Sequence, residues 1–125
     1  MLRFALIFGA FAGLLAVALG AFAAHGLEKR LDEKALAWIE TGVRYQMWHA
    51  LALLGGAALM AARPGPGLAV ATIAWAVGIV LFSGALYALA LTGIRAFAHV
   101  APLGGTAFIV GWAAVVWYGA SVKLG

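Results

Sequence analysis

Apolar residues run almost without interruption through four stretches of this chain, at about residues 4–24, 45–62, 68–91 and 100–122. Each is close to the ~20 residues that a helix needs to cross the ~30 Å hydrocarbon core of a bilayer. Backbone N–H and C=O groups in lipid must be bonded within their own segment, so each stretch is expected to be helical. Between the first two lies the one charged segment. Residues 20–54 hold all four acidic residues, half of the eight basic ones and two of the three histidines. The pattern predicts an all-α membrane protein: a single integral domain over residues 1–125, built as a four-transmembrane-helix bundle.

Within the charged segment, Leu27, Leu31, Ala35, Trp38, Ile39 and Gly42 recur at three- and four-residue spacing, and charges fill the opposite face. Residues 27–44 therefore read as an amphipathic interfacial helix between spans one and two. Asp32 suits its N-cap. The same residues admit a second arrangement, one long helix over residues 33–62 that projects from the bilayer, with Gly42 as the place for a bend. Gly26 suits the end of the first helix. Arg63-Pro64-Gly65-Pro66-Gly67 can only be a turn, and Leu91 to Arg95 makes a short connection. Pro102 is expected in the first turn of span four, where proline is tolerated. Trp117 and Tyr118 mark the far interface.

Composition says what the solvent is. The chain is 66% hydrophobic and 10% charged, against roughly 45–50% and about 25% in soluble domains. Its first partner is the lipid bilayer. The net charge of +4 sits at the span ends and forms no basic stripe, so nucleic acid is not expected as a partner. With no cysteine, disulfides and thiolate sites are excluded. Five Lys and Arg (29, 30, 34, 44 and 95) fall on the loop-one side and three (3, 63 and 123) on the other. Loop one is thus expected to be cytoplasmic and both termini outside. Arg3, the apolar run and Ala21-Phe22-Ala23-Ala24 imitate a secretory signal. The run exceeds the ~7–15-residue core of such signals, so a retained helix is expected.

Four alternating crossings would bring one set of polar residues to the loop-one side: His25, Tyr45, Gln46, His49, Ser83, Tyr87, Arg95 and His99. Tyr45 and His49, and Ser83 and Tyr87, are four apart and share a helix face. Inside a membrane such groups point inward and find partners. The simplest account is interhelical glue, worth about 0.6–2 kcal/mol per bond. The sharper ones are a pocket for a small ligand, a proton or an ion, or a metal or haem site on the histidines. No HExxH, CxxC, phosphate loop or GxSxG is present, and every carboxylate sits in the charged segment. No catalytic role, cofactor or metal is assigned. Arg44, Arg95 and Trp38 are candidates to meet lipid headgroups. Gly9, Gly13 and Gly20 form a small-residue face for close helix packing, within the chain or against a second copy.

Several separate motifs carry a likeness. They are Gly20-Ala21-Phe22-Ala23-Ala24-His25-Gly26-Leu27, Glu40-Thr41-Gly42-Val43-Arg44-Tyr45-Gln46 and His49-Ala50-Leu51-Ala52-Leu53. Further along stand Leu81-Phe82-Ser83-Gly84, Leu86-Tyr87, Leu91-Thr92-Gly93 and Pro102-Leu103-Gly104-Gly105. With these the chain resembles the YgdD/YwdK-like family of small four-span membrane proteins, a domain of unknown function with similar proteins in mitochondria. The resemblance implies four helices in a bacterial inner membrane, and it implies no activity, substrate or cofactor. The functional expectation is a structural or accessory component that packs against a membrane complex, a second copy or lipids. A ligand-binding or transport module and a metal- or haem-binding protein are the alternatives.

Overall fold

The computed structural model describes residues 1–124, leaving aside the side chain of Ala24. Helix α1 (Leu2–Ala18) continues through a π-helical turn, Leu19–Ala23, into α2 (Ala24–Leu27). Helix α3 is Glu33–Ala62. Helix α4 (Pro66–Gly78) runs through a second π-helical turn, Ile79–Ser83, into α5 (Gly84–Thr92), and α6 is Ala96–Ser121. Three stretches are long and apolar enough to cross a membrane: Leu2–Ala23, Pro66–Thr92 and Ala96–Ser121, of 22, 27 and 26 residues. At ~1.5 Å per residue each reaches the ~30 Å of a hydrocarbon core. Helix α3 is longer, at 30 residues. Its charged opening turns, with Gln46 and His49 further along, dilute its apolar character.

The separate interfacial helix expected over residues 27–44 is not formed. Residues 28–32 are a turn and a cap, and residues 33–44 are the opening turns of α3 itself. The Asp32 carboxylate accepts from the Ala35 N–H at 2.8 Å, which starts α3 where the N-cap was expected. Gly42 produces no break. It sits in the helix because α5 needs the space: a Cβ there would stand 2.6 Å from Cε1 of Tyr87. Glycine costs only about 1 kcal/mol in a helix interior, which that packing offsets. Gly26 lies inside α2 rather than ending it in a left-handed turn. Gly93, at φ 70°, plays that part for α5. Pro66 opens α4 at its first turn. Because α6 begins at Ala96, Pro102 falls in its second turn rather than its first.

Small residues set the packing. Helix α1 lies antiparallel to α3, with Gly9 against Ala50 and Leu53, Gly13 against Ala50 and Gly20 against Val43. Helix α4 lies antiparallel to α6, with Gly67 against Ala114 and Tyr118 and Gly78 against Phe108. Gly104 rests directly on the backbone of Leu81 and Phe82, and Gly111 on the Trp75 indole. Such positions let backbones approach where lipid offers no hydrophobic drive between helices. The central core joins Ala12, Ala50, Leu53, Ala71, Trp75, Ile79, Phe108 and Ala114. At one end the Arg63 guanidinium donates to the Lys123 carbonyl, and the Tyr118 hydroxyl donates to the Arg63 carbonyl at 2.6 Å. Tyr118 is therefore a buried tie at that end of the bundle.

Candidate functional site

Helix α3 carries two buried polar side chains one turn apart, and they serve different neighbours. Gln46 Nε2 donates to the Ala12 carbonyl at 2.7 Å. Its Oε1 accepts from the Tyr87 hydroxyl, also at 2.7 Å. Ser83 Oγ donates to the Gly42 carbonyl at 2.7 Å. These three bonds tie α1 and the π-turn–α5 segment to α3. The π-turn helps to aim Ser83, because a wider turn shifts the helix face relative to a plain α-helix.

His49 Nδ1 lies 2.7 Å from the Tyr45 carbonyl, and Trp112 Nε1 lies 3.0 Å from His49 Nε2. A carbonyl only accepts and an indole N–H only donates, so the partners assign the neutral ring with its proton on Nδ1. Both nitrogens are then used. The ring stacks on Phe108 with centroids 3.6 Å apart and planes within 10°. A metal or haem iron could reach Nε2 only by displacing Trp112. Among the described residues no group of three His, Cys, Asp or Glu stands where it could hold a metal ion.

Beside this histidine a groove of about 740 Å³ opens between α3, the second π-turn and α6. Its wall is largely aromatic: Tyr45, Trp48, His49, Phe82, Phe108 and Trp112. The rings hold one another in place. Tyr45 packs on Phe82 at 4.8 Å and on Trp48 at 5.0 Å, and Trp112 packs on Trp75 at 4.8 Å. Trp48 and Trp112 remain half-exposed at its edges. Among the described residues the Trp75 indole N–H, behind Trp112, is buried without a hydrogen-bond partner, and Gly111 lies against that edge of the ring.

Of the eight polar residues expected together, Tyr45, Gln46, His49, Ser83 and Tyr87 meet along α3. His25, Arg95 and His99 do not join them and are exposed. The expected gathering of histidines at one face fails for a geometric reason. His49 is 16 residues past Glu33, or ~24 Å along the helix at ~1.5 Å per residue. Trp112, 16 residues past Ala96, lies at the same depth. Four aromatic wall residues were not singled out from sequence: Trp48, Phe82, Phe108 and Trp112. A signal existed in two of them. Tryptophan favours the membrane interfaces, and Trp48 and Trp112 stand several turns inside their helices.

Comparison with known proteins agrees on family and adds no activity. A family model described as "Protein of unknown function (DUF423)" matches residues 19–105. The UPF0382 membrane protein YwdK of Bacillus subtilis is 49% identical over 113 residues, covering 89% of this chain and 91% of its own. The UPF0382 inner membrane protein YgdD of Escherichia coli K12 is 48% identical over 111 residues, covering 89% and 85%. A UPF0382 membrane protein of Haemophilus influenzae is 46% identical over 108 residues, covering 86% of each chain. No solved structure matches.

Proposed function

Because the chain belongs to the DUF423 family of membrane proteins, we propose that it is a four-crossing binding protein. It holds a flat, apolar molecule dissolved in the bilayer, in the groove between α3 and α6. One observation carries this reading: a recess of about 740 Å³ walled by aromatic rings, with His49 and Trp112 bonded to each other at its side. Small-molecule sites fall in the range of about 300–1,000 Å³ and combine apolar and aromatic walls with a few placed polar groups. A partner helix would need a ridge of small residues to approach. Here Gly105 and Thr106 are the small residues along a wall otherwise dominated by large rings.

The accessory reading rests in part on the face of Gly9, Gly13 and Gly20, and that face is engaged inside the chain. Gly9, Gly13 and Gly20 face α3, and Gly67, Gly78, Gly104 and Gly111 face their own neighbours. Binding is favoured over catalysis because Gln46, His49 and Tyr87 already have their partners within the protein.

In this reading α3 is the fourth crossing. Its 30 residues reach ~45 Å at ~1.5 Å each, beyond the ~30 Å core. Residues 33–44 therefore rise through the headgroups, with their charges in water. Gln46 and His49 are tolerated within because both are bonded. The Lys and Arg bias sets loop one in the cytoplasm and both termini outside. The relative named as an inner membrane protein supports the same membrane for this chain.

The test is titration of the full chain in neutral detergent with a short-chain benzoquinone, read by tryptophan fluorescence and native mass spectrometry. Saturable quenching with one bound molecule is expected, weakened in Trp112→Ala. Quenching that never saturates and is equal in both proteins would overturn the proposal.

A further inference from the structure

The geometry points to a second site, for a phosphate group, in a cleft of about 320 Å³ where the first turns of α3 and α6 meet the α5–α6 connection. Lys34 comes from α3, Arg95 from the connection and His99 from the first turn of α6. Three nitrogen-bearing side chains from separate segments thus line one recess, and no carboxylate lines it. Lys34 Nζ is held 5.4 Å from the Trp38 ring centroid. Trp38 and the buried Leu89 give the cleft an apolar floor. Trp38 also packs against the cluster of Leu86, Leu89 and Ala101, which fixes α3 relative to α5 and α6. The recess is therefore a defined shape and not a loose scatter of surface charge.

A cleft that pairs cations with an apolar floor suits an anion attached to something greasy. Basic recesses between membrane helices take anionic headgroups in this way. Guanidinium and ammonium groups both bind phosphate oxygens, arginine in fork geometry and lysine as a point charge. Arg44 is the instructive contrast. It lies at the same end of the protein, but its own cleft includes Glu40. A carboxylate there competes for the cation and repels an anion. Arg95 and Trp38 thus belong to the phosphate cleft, and Arg44 does not.

The same chemistry is offered by a phospholipid headgroup and by free phosphate, and one experiment separates them. The full chain is purified in neutral detergent. It is mixed with equal amounts of phosphatidylglycerol and phosphatidylcholine, and retained lipid is read by native mass spectrometry. Wild type and R44A should retain phosphatidylglycerol preferentially. The double variant K34A/R95A should bind it about thirtyfold more weakly, at about 1 kcal/mol for each basic residue removed and tenfold per 1.4 kcal/mol. Excess inorganic phosphate is the second arm. Displacement of the lipid assigns the site to the phosphate group alone. Retention against phosphate assigns it to the lipid, held also by its apolar part on Trp38. Equal retention by wild type and K34A/R95A, or an equal loss in R44A, would overturn the site. All the substituted side chains are exposed, so the variants should fold, and an unchanged melting temperature confirms it.

Discussion

Gln46 and His49 stand one turn apart on α3 and are equally buried, at 4% and 3% exposure. Each side-chain nitrogen and oxygen of the two has a hydrogen-bond partner, yet they sit in different kinds of surroundings. Gln46 looks toward α1 and α5, where it and its partners Ala12 and Tyr87 line a smaller recess of about 340 Å³. His49 looks toward α6, and its partner Trp112 is half-exposed on the rim of an open groove. Satisfying a polar group in an apolar medium is obligatory. Whether that serves cohesion or recognition depends on what adjoins the bond. One side of α3 packs on α1 through small residues and leaves a recess less than half the size of the groove. The other is propped open by rings too large to interlock.

The sharpest way to test this contrast is to disturb the seam between α6 and the π-turn that frames the groove, where it has no slack. At Gly104 of α6 an added Cβ would stand 2.7 Å from the carbonyl carbon of Leu81 and from Cα of Phe82. These are backbone atoms in the π-turn and cannot step aside. Gly104→Ala should destabilise by about 3 kcal/mol, the upper range for overpacking, or prevent folding. Gly55→Ala is the control, because nothing lies within 4 Å of its added carbon. It should gain roughly 0.5–1 kcal/mol from helix propensity. Thermal unfolding in detergent measures both, and similar melting temperatures would remove the close approach from the account.

Next in size is Gln46→Leu, which keeps roughly the same bulk and deletes both bonds. The Tyr87 hydroxyl is left facing an apolar side chain. A buried group left unpaired costs about 1–3 kcal/mol, so a loss near 2 kcal/mol is expected. Binding in the groove should not change, because no groove residue touches Gln46 through a hydrogen bond. A quinone probe released by this variant would show that the two sides are not separate. Ser83→Ala comes third. It removes one donor to the Gly42 carbonyl, and membrane hydrogen bonds average about 0.6 kcal/mol with a maximum near 1.7. A loss of about 1 kcal/mol is expected, from the same melting curves.

The uneven legibility of the chain has the same physical root. Apolar runs announced the helices, because lipid leaves the backbone few alternatives. The breaks at Pro64 to Pro66 and at Gly93 followed from φ restriction and the left-handed turn. Gln46, Ser83 and Tyr87 were legible as a group, since polar side chains stand out against such a background. What stayed hidden was register. Gly42 reads equally as a bend or as room for a ring, and only the position of Tyr87 across from it decides. The groove needs Phe82, Phe108 and Trp112 from separate turns to meet His49 at one depth. That depth depends on where α6 begins, on the π-turn at Ile79–Ser83, where Gly104 rests, and on three glycine contacts between α4 and α6. None of these leaves a mark at a single position. The histidines misled for that reason. Their closeness to charged loops suggested a shared face, while the uninterrupted length of α3 carried His49 away from it.

The smallest effect on stability, and the most telling one, belongs to Trp112→Phe. The substitution keeps an aromatic ring on the groove wall and deletes the N–H that His49 Nε2 accepts. Were no water or ligand able to reach His49 Nε2, the orphaned acceptor would cost as much as the lost bonds in Gln46→Leu. It borders an open recess instead, where a ligand or a water can take the place of the indole. The expected loss is therefore no more than about 0.6 kcal/mol, while quenching by the quinone probe changes in midpoint. A freed Nε2 could accept a bond from a hydroxylated probe such as a naphthol, so affinity for that probe should rise relative to the quinone. Melting of Trp112→Phe as low as Gln46→Leu, with both probes unaffected, would mean that the His49 bond is cohesion after all. The groove would then be a gap between rings, filled by acyl chains, with no part in recognition.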